Sequence, residues 1–444
     1  MKLNYKRTFL VGLAFLSICA FWQMYDNVIP LILTNTFHLN ETYSGAIMAA
    51  DNVLALFLLP IFGSLSDKTE TKIGKRMPYI LFGTGLAVIF MNILPFLDNG
   101  YYASPNNFKL ISFVVVLGLL LIAMGTYRSP AVALMPDVTP KPLRSKANAI
   151  INLMGAVGGI IYLAIAAVLY PNSKTVGVAH VDYQILFVVV SSIMFVAVAL
   201  LFLFVKEPQL VLDNKVLESE HPEWNLSEDD GSGHETLPQD VKCSLYFLLA
   251  SIALWFIGYN GVTTWFTTYV SVVMGQGLGG ASTCLLVATA GAIISYIPIG
   301  NIASKIGRKK TIKGGIVLLS VMFALGFIMT NVFKSINILM YISFALVGLA
   351  WAAINVNSLP MVVEMCKGSD IGKFTGYYYT ASMAAQIVTP ILAGTLMRLI
   401  SYKILFIYSA FFVLLSYVTM SQVRHGDQKV EAKKGLEAFE NMDD

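Results

Sequence analysis

The chain has 444 residues, of which 56% are hydrophobic and 13% charged, with a formal net charge of +4. Average soluble domains carry about 25% charged residues, so this composition excludes a soluble globular enzyme, a disordered chain, a collagen and a disulfide scaffold. The basic excess lies in short loops with no aromatic-basic platform, which argues against a nucleic-acid partner.

The N-terminus, Met1 to Arg7, is basic and runs into a long apolar segment without a cleavage site. That pattern reads as an uncleaved anchor. Apolar runs follow at 8–36, 43–66, 78–97, 108–136, 147–170, 183–205, 243–272, 280–304, 311–331, 336–364, 374–398 and 401–420. A membrane helix needs about 20 such residues, and these runs are too long and continuous for barrel strands. The expected fold class is an all-α integral membrane protein with twelve transmembrane helices in two six-helix bundles. Residues 1–205 and 243–420 form the bundles, 206–242 an acidic linker and 421–444 a tail.

An even number of spans puts both termini on one side. Loops on that side hold 24 Lys or Arg against 5 on the other, so the positive-inside rule makes both termini cytoplasmic. The expected location is the cell membrane, with the lipid bilayer as partner. The linker holds ten acids against three lysines, which reads as a solvated connector. Cys19, Cys243, Cys284 and Cys366 show no C-x-x-C spacing, so neither a metal nor a disulfide is expected. No metal and no cofactor is expected at all. The five histidines fall in loops or the tail, and no Walker, zincin or nucleophile-elbow pattern occurs.

Charges inside a membrane are costly and mark function by default. Three lie well within spans: Asp26, Asp51 and Arg128. On the first span Trp22, Gln23, Asp26, Asn27 and Pro30 share one polar stripe at helical spacing, and Asp51 and Asn52 add to it from the second. An acid beside Arg128 favours its charged form and one in an apolar cavity its neutral form. Alternation between the two is a route to proton coupling. A static Asp26–Arg128 pair joining the first and fourth spans is the competing reading.

Sugars call for hydrogen-bonding amides and aromatic faces. The seventh span offers Tyr259, Asn260, Thr263, Thr264 and Thr267, with Trp255 and Trp265 nearby. The tenth offers Trp351, Asn355, Asn357 and Ser358, and the eleventh Tyr377, Tyr378, Tyr379 and Gln386. The candidate substrate-binding set is Trp22, Gln23, Asn27, Asn52, Tyr259, Asn260, Thr264, Trp351, Asn355 and Gln386. The same residue types also join helices or mark the interface belt.

The halves echo each other. Gly63-Ser-Leu-Ser-Asp67 and Gly74-Lys75-Arg76 follow the second span, and Gly300 through Gly307-Arg308-Lys309-Lys310 follow the eighth. Asp137 closes the fourth span and Glu364 the tenth. Matching signals in two halves suggest a duplicated carrier with its site at their interface. The loop resembles the signature loop of the major facilitator superfamily. Its longer variant, with Pro78, and the block Ala133-Leu-Met-Pro136-Asp137…Arg144-Ser-Lys-Ala147-Asn148 are similar to those of the plant sucrose–proton symporters and their animal and bacterial relatives. The resemblance implies a cation-coupled importer of an α-linked disaccharide or related glycoside, working as a monomer. It implies gating roles for Gly63, Asp67, Gly74, Lys75, Arg76, Asp137, Arg144, Gly307, Arg308 and Glu364.

Two departures matter. Related melibiose-type carriers hold two carboxylates where this chain has Ala55 and Leu59, so a coupling proton is favoured over sodium. Plant sucrose carriers hold an acid where this chain has Leu121. Two alternatives stay open: a proton-coupled exporter of drugs or amphiphiles, with a more apolar cavity, and a non-transporting sugar sensor signalling through 421–444, where Val430 to Phe439 is a charged amphipathic stretch.

Overall fold

The computed structural model describes residues 3–221, 238–333, 335–365 and 371–427. The chain folds as two compact units, Met1–Pro222 with Gly277–Gly279, and Glu223–Gln276 with Gly280–Asp443. Among the described residues twelve helices are long and apolar enough to cross a membrane.

The first unit holds α1 (Tyr5–Leu31), α2 (Glu41–Asp67), α3 (Met77–Ala103), α4 (Asn107–Asp137), α5 (Arg144–Leu169), α6 (Gln184–Phe204) and a shorter α7 (Glu207–Glu220). Asparagines start three of them. The Asn4, Asn40 and Asn106 side chains accept from the backbone N–H groups of Arg7, Tyr43 and Phe108 at 3.1, 3.0 and 2.9 Å, filling donors a helix start leaves open. Pro30 lacks an N–H, and α1 passes into a π-helical turn over Ile32–Thr36. There Thr34 Oγ1 donates to the Pro30 carbonyl at 2.8 Å. Helix α1 packs on α5 and α6, α2 on α4, and α3 on α4 and α6.

The second unit holds α8 (Gln239–Met274), α9 (Leu278–Ile306), α10 (Arg308–Val332), α11 (Ile338–Val363), α12 (Ile371–Leu399) and α13 (Ile404–Gln422). Its packing follows the same order: α8 on α12 and α13, and α10 on α11 and α13. Thus α8 stands where α1 does in the first unit, and α10 where α3 does. The repeat is one of packing as well as of sequence.

One expectation is corrected. The connector after the sixth span is not solvated throughout, because α7 occupies its first third. Glu207 and Asn214 of α7 are buried, at 1% and 5% exposure. Pro208 sits in the first turn, where its missing N–H costs nothing. Residues 222–237 of the expected linker with His234, Cys366, and Val430 to Phe439 of the tail lie outside the described residues.

Candidate substrate and gating sites

On α1, Trp22, Gln23 and Asp26 are partly exposed and share a face, as their spacing requires. Asn27 is fully buried, and its Nδ2 donates to the Gln23 carbonyl at 2.6 Å. Asp51 and Asn52 of α2 are partly exposed, and Asn52 Nδ2 donates to Asp51 Oδ1 at 2.8 Å.

The Arg128 guanidinium carbon lies 5.9 Å from the centroid of the Trp22 ring, a cation–π distance. Asp26 and Asp51 are within coulombic range of each other, and Arg128 is within that range of Asp51. No Asp26–Arg128 ion pair forms among the described residues, which corrects the static-pair reading. The cation spends its side chain on the Trp22 face instead.

Two residues absent from the sequence-derived set complete this cluster. Tyr25 and Tyr162 are buried at 1% and 0% exposure, and both lie within coulombic range of Asp26. Their hydroxyls, and the buried Trp22 Nε1–H, have no hydrogen-bond partner among the described residues. Buried donors are normally paired, so these three orphans form a set able to bind hydroxyl oxygens. Tyr25 stands beside Asp26 in sequence and is legible there. Tyr162 comes from α5, among Gly155, Gly158 and Gly159, and only its isolation in an apolar helix marks it.

The second unit has its own cluster. The rings of Tyr259 and Trp351 stack at 3.7 Å with planes 5° apart, and Phe256 meets Trp351 edge-on at 5.3 Å. Asn260 Nδ2 is buried without a partner among the described residues. Asn355 and Thr264 are buried, and Gln386 is partly exposed. Trp255 and Trp265 are fully buried core residues, and Trp265 Nε1–H donates to the Pro390 carbonyl at 3.2 Å. They do not join the polar face. Asn357 is likewise spent on its own helix, donating to the Ala353 carbonyl at 2.9 Å.

The loop after α2 is brought together by one arginine. Arg76 is 4% exposed. Its Nη2 donates to Asp67, its Nη1 to Ser66 Oγ and the Gly63 carbonyl, and its Nε to Asp137 Oδ2 at 2.8 Å. Lys75 Nζ joins the same Asp137 oxygen at 3.1 Å. The ends of α2 and α4 are thereby tied to the start of α3. Gly74 adopts φ +113°, a backbone open to glycine, and the Glu207 side chain fills the space a Cβ would take. The carboxylate of Glu207 accepts from the backbone N–H groups of Lys75, Arg76 and Met77 at 2.8, 2.9 and 2.9 Å. It closes the N-terminus of α3 from another segment. Arg144 stands outside this network, with Nη2 on Glu218 Oε1 of α7 at 3.3 Å and Nε on the Thr139 carbonyl at 3.2 Å.

The second unit repeats the device with other partners. Arg308 pairs with Glu364. Gly307 has φ +97°, and Asp427 Oδ1 accepts from the backbone N–H of Lys309 at 3.2 Å. In each unit a carboxylate shortly past the sixth long helix, Glu207 or Asp427, meets the start of the third. Neither acid belongs to the loop motif.

The model of the Major Facilitator Superfamily matches residues 11–295 and 276–439. The chain belongs to the Major Facilitator Superfamily. Sucrose transport protein SUC3 of Arabidopsis thaliana is 30% identical over 138 residues, which is 28% of this chain and 23% of that protein. Sucrose transport protein SUT3 of Oryza sativa subsp. indica is 31% identical over 121 residues, 24% of each chain. The chain thus covers less than a quarter of the length of these relatives. The inward open conformation of the xylose transporter XylE from E. coli superposes with a TM-score of 0.69 over 97% of this chain and 98% of that one, at 14% identity. A bacterial homologue of the iron transporter ferroportin in its inward-facing state gives 0.69 over 95% and 99%, at 12% identity. At such identities the structures speak for the fold alone.

The superfamily and these neighbours are transporters, and this chain is a multi-pass membrane protein of that superfamily. Within the superfamily frame, the Arg76 network falls on the signature loop, and the Trp22–Asp26–Asp51–Arg128 cluster falls on the first, second and fourth helices of its unit.

Proposed function

We propose that the chain imports an α-linked disaccharide or related glycoside together with a proton, by alternating access. The observation that carries this reading is the cluster of Trp22, Asp26, Asp51, Asn52 and Arg128. It holds an aromatic face for a sugar ring, amide and orphan hydroxyl donors for its hydroxyls, and two acids in mutual range for a proton. The partial match to sucrose transport proteins supports a sugar as the substrate class, and the Tyr259–Trp351 stack with Asn260 supplies matching chemistry in the second unit. The lack of an acid at Ala55 and Leu59 favours a proton over sodium. Both termini are proposed to be cytoplasmic, and the membrane the cell membrane.

The test uses proteoliposomes at low buffering, with maltose, sucrose, trehalose, melibiose and glucose added singly while external pH is followed. Alkalinisation with one α-linked disaccharide, abolished by a protonophore, is expected. Asp26→Asn and Asp51→Asn then separate the proton carrier, since the variant lacking it retains sugar exchange but not sugar-driven alkalinisation. No pH response to any of the sugars overturns the coupled reading and returns the weight to an exporter of amphiphiles or a sensor.

A further inference from the structure

The start of α10 is the most basic stretch of the second unit: Lys305, Arg308, Lys309, Lys310 and Lys313 fall within nine positions. Two of them are spent. Arg308 pairs with Glu364, and Lys309 Nζ donates to the Ser421 carbonyl at 3.1 Å and to the Val423 carbonyl, closing the end of α13. Lys313 has no acidic partner among the described residues. Its ammonium lies 4.3 Å from the centroid of the Tyr417 ring. Arg424 is exposed, and its guanidinium likewise has no partner among the described residues. Lys313 and Arg424 both lie within coulombic range of Lys309, and the acid in that range is Asp427, already engaged at the Lys309 backbone. Lys309 therefore has two cations and one carboxylate within that range.

These cations stand at the head of an apolar seam. On α10, Val317, Val321 and Leu325 continue from Lys313 at four-residue steps, 44%, 47% and 39% exposed. On α13, Leu414 and Phe411 continue from Tyr417 and Val418, 53% and 58% exposed. The two helices touch along this line, with Ser320 Oγ donating to the Ala410 carbonyl at 3.0 Å. From Lys313 to Leu325 the seam runs about 18 Å at 1.5 Å per residue, comparable with one leaflet of a bilayer core roughly 30 Å thick.

We propose that this seam binds an anionic phospholipid. Lys313 and Arg424 hold the phosphate, with Lys309 behind them. Tyr417 braces Lys313 at headgroup depth, and an acyl chain lies along Val317, Val321 and Leu325. Charge excess selects an anionic headgroup over a zwitterionic one, since each Lys or Arg near an anionic surface contributes attraction. The apolar continuation selects a lipid over a free phosphate ion, which would leave the seam unused.

The test takes the purified full-length protein in detergent. Native mass spectrometry with equimolar phosphatidylglycerol and phosphatidylcholine reads lipid retention, and thermal unfolding reads stabilisation by phosphatidylglycerol, inorganic phosphate or glycerol 1-phosphate. Phosphatidylglycerol is expected to be retained preferentially and to stabilise where the two phosphates do not. Lys313→Gln and Arg424→Gln should each weaken retention about fivefold, and the pair about 25-fold. Lys313→Arg should restore it, and Lys403→Gln, on the same unit away from the seam, should leave it unchanged. Equal retention of the two lipids, full stabilisation by either phosphate, or an unaltered double variant overturns the proposal.

Discussion

The Tyr162 hydroxyl is buried without a partner among the described residues, within coulombic range of Asp26, and an unsatisfied buried polar group costs about 1–3 kcal/mol. Evolution of a stable core alone would have placed Phe there. Tyr162→Phe is therefore expected to leave the unit as stable as before or to stabilise it by about 1 kcal/mol, while weakening sugar binding. Thermal unfolding and sugar-binding titrations on the same preparation check both halves. A destabilised variant would show that the hydroxyl has a structural partner after all. His180 carries a pH prediction. Its Nε2–H donates to Asn99 Oδ1 at 2.8 Å, its ring stacks on Tyr102 at 4.4 Å, and Asp98 Oδ2 lies 3.9 Å away. Burial holds the imidazole below its ordinary value, partly offset by Asp182. The neutral ring is the folded form, and the opened loop takes up a proton more readily. Its contribution is present above the ordinary imidazole value of about 6.5 and lost as pH falls through the lowered one. Hydrogen exchange over 170–183 should quicken, after correction for intrinsic rates, between about pH 7.5 and 5, and His180→Gln should flatten that dependence.

At the scale of elements, α7 shows both the reach and the limit of the sequence. The long spans are legible because an apolar run of about twenty or more residues has one stable solution in a bilayer. Residues 207–220 are not, because their acids and Lys215 read as solvated until one knows what they touch. Glu207 caps three backbone N–H groups 130 to 132 positions away in sequence, and no local pattern announces such a partner. The Arg76 loop is legible in membership, since Gly63, Asp67, Lys75, Arg76 and Asp137 do meet. Arg144 is not, because its partner Glu218 belongs to the misread segment. Asn27 keeps the stripe's spacing, but its burial and its bond to the Gln23 carbonyl are set by packing that spacing does not show, and Tyr162 escapes a helix-by-helix reading because it comes within coulombic range of Asp26 from another helix. The α7 contact can be tested directly. Hydrogen bonds to a charged group contribute about 1.5–3 kcal/mol, so Glu207→Ala is expected to destabilise the first unit by about 2–3 kcal/mol. Glu207→Gln should cost less, because its amide oxygen still accepts. Unfolding midpoints of the two variants, with exchange protection over 207–220, decide the matter. Equal stability of wild type and Glu207→Ala would reduce the cap to a bystander.

For the whole molecule, the question is which side of the membrane holds the two arginine networks. Helix α3 begins beside Arg76 and ends 27 residues later at Ala103, so in the first unit the Arg76 network and the His180 loop lie at opposite ends of one span. In the second unit, α10 begins at Arg308 and Lys309 and ends at Val332. The 24 to 5 bias of Lys and Arg favours the Arg76 and Arg308 ends inside. A cysteine placed at Val178, an exposed site in the His180 loop, should react with an impermeant maleimide on intact cells. One placed at Arg424 should react after permeabilisation alone. Cys243 is also exposed, and its position at the start of α8 predicts protection in intact cells, so it serves as an internal reference in both variants. Labelling of the residue 424 site from outside would invert the molecule and place the Lys313–Arg424 cations on the opposite leaflet.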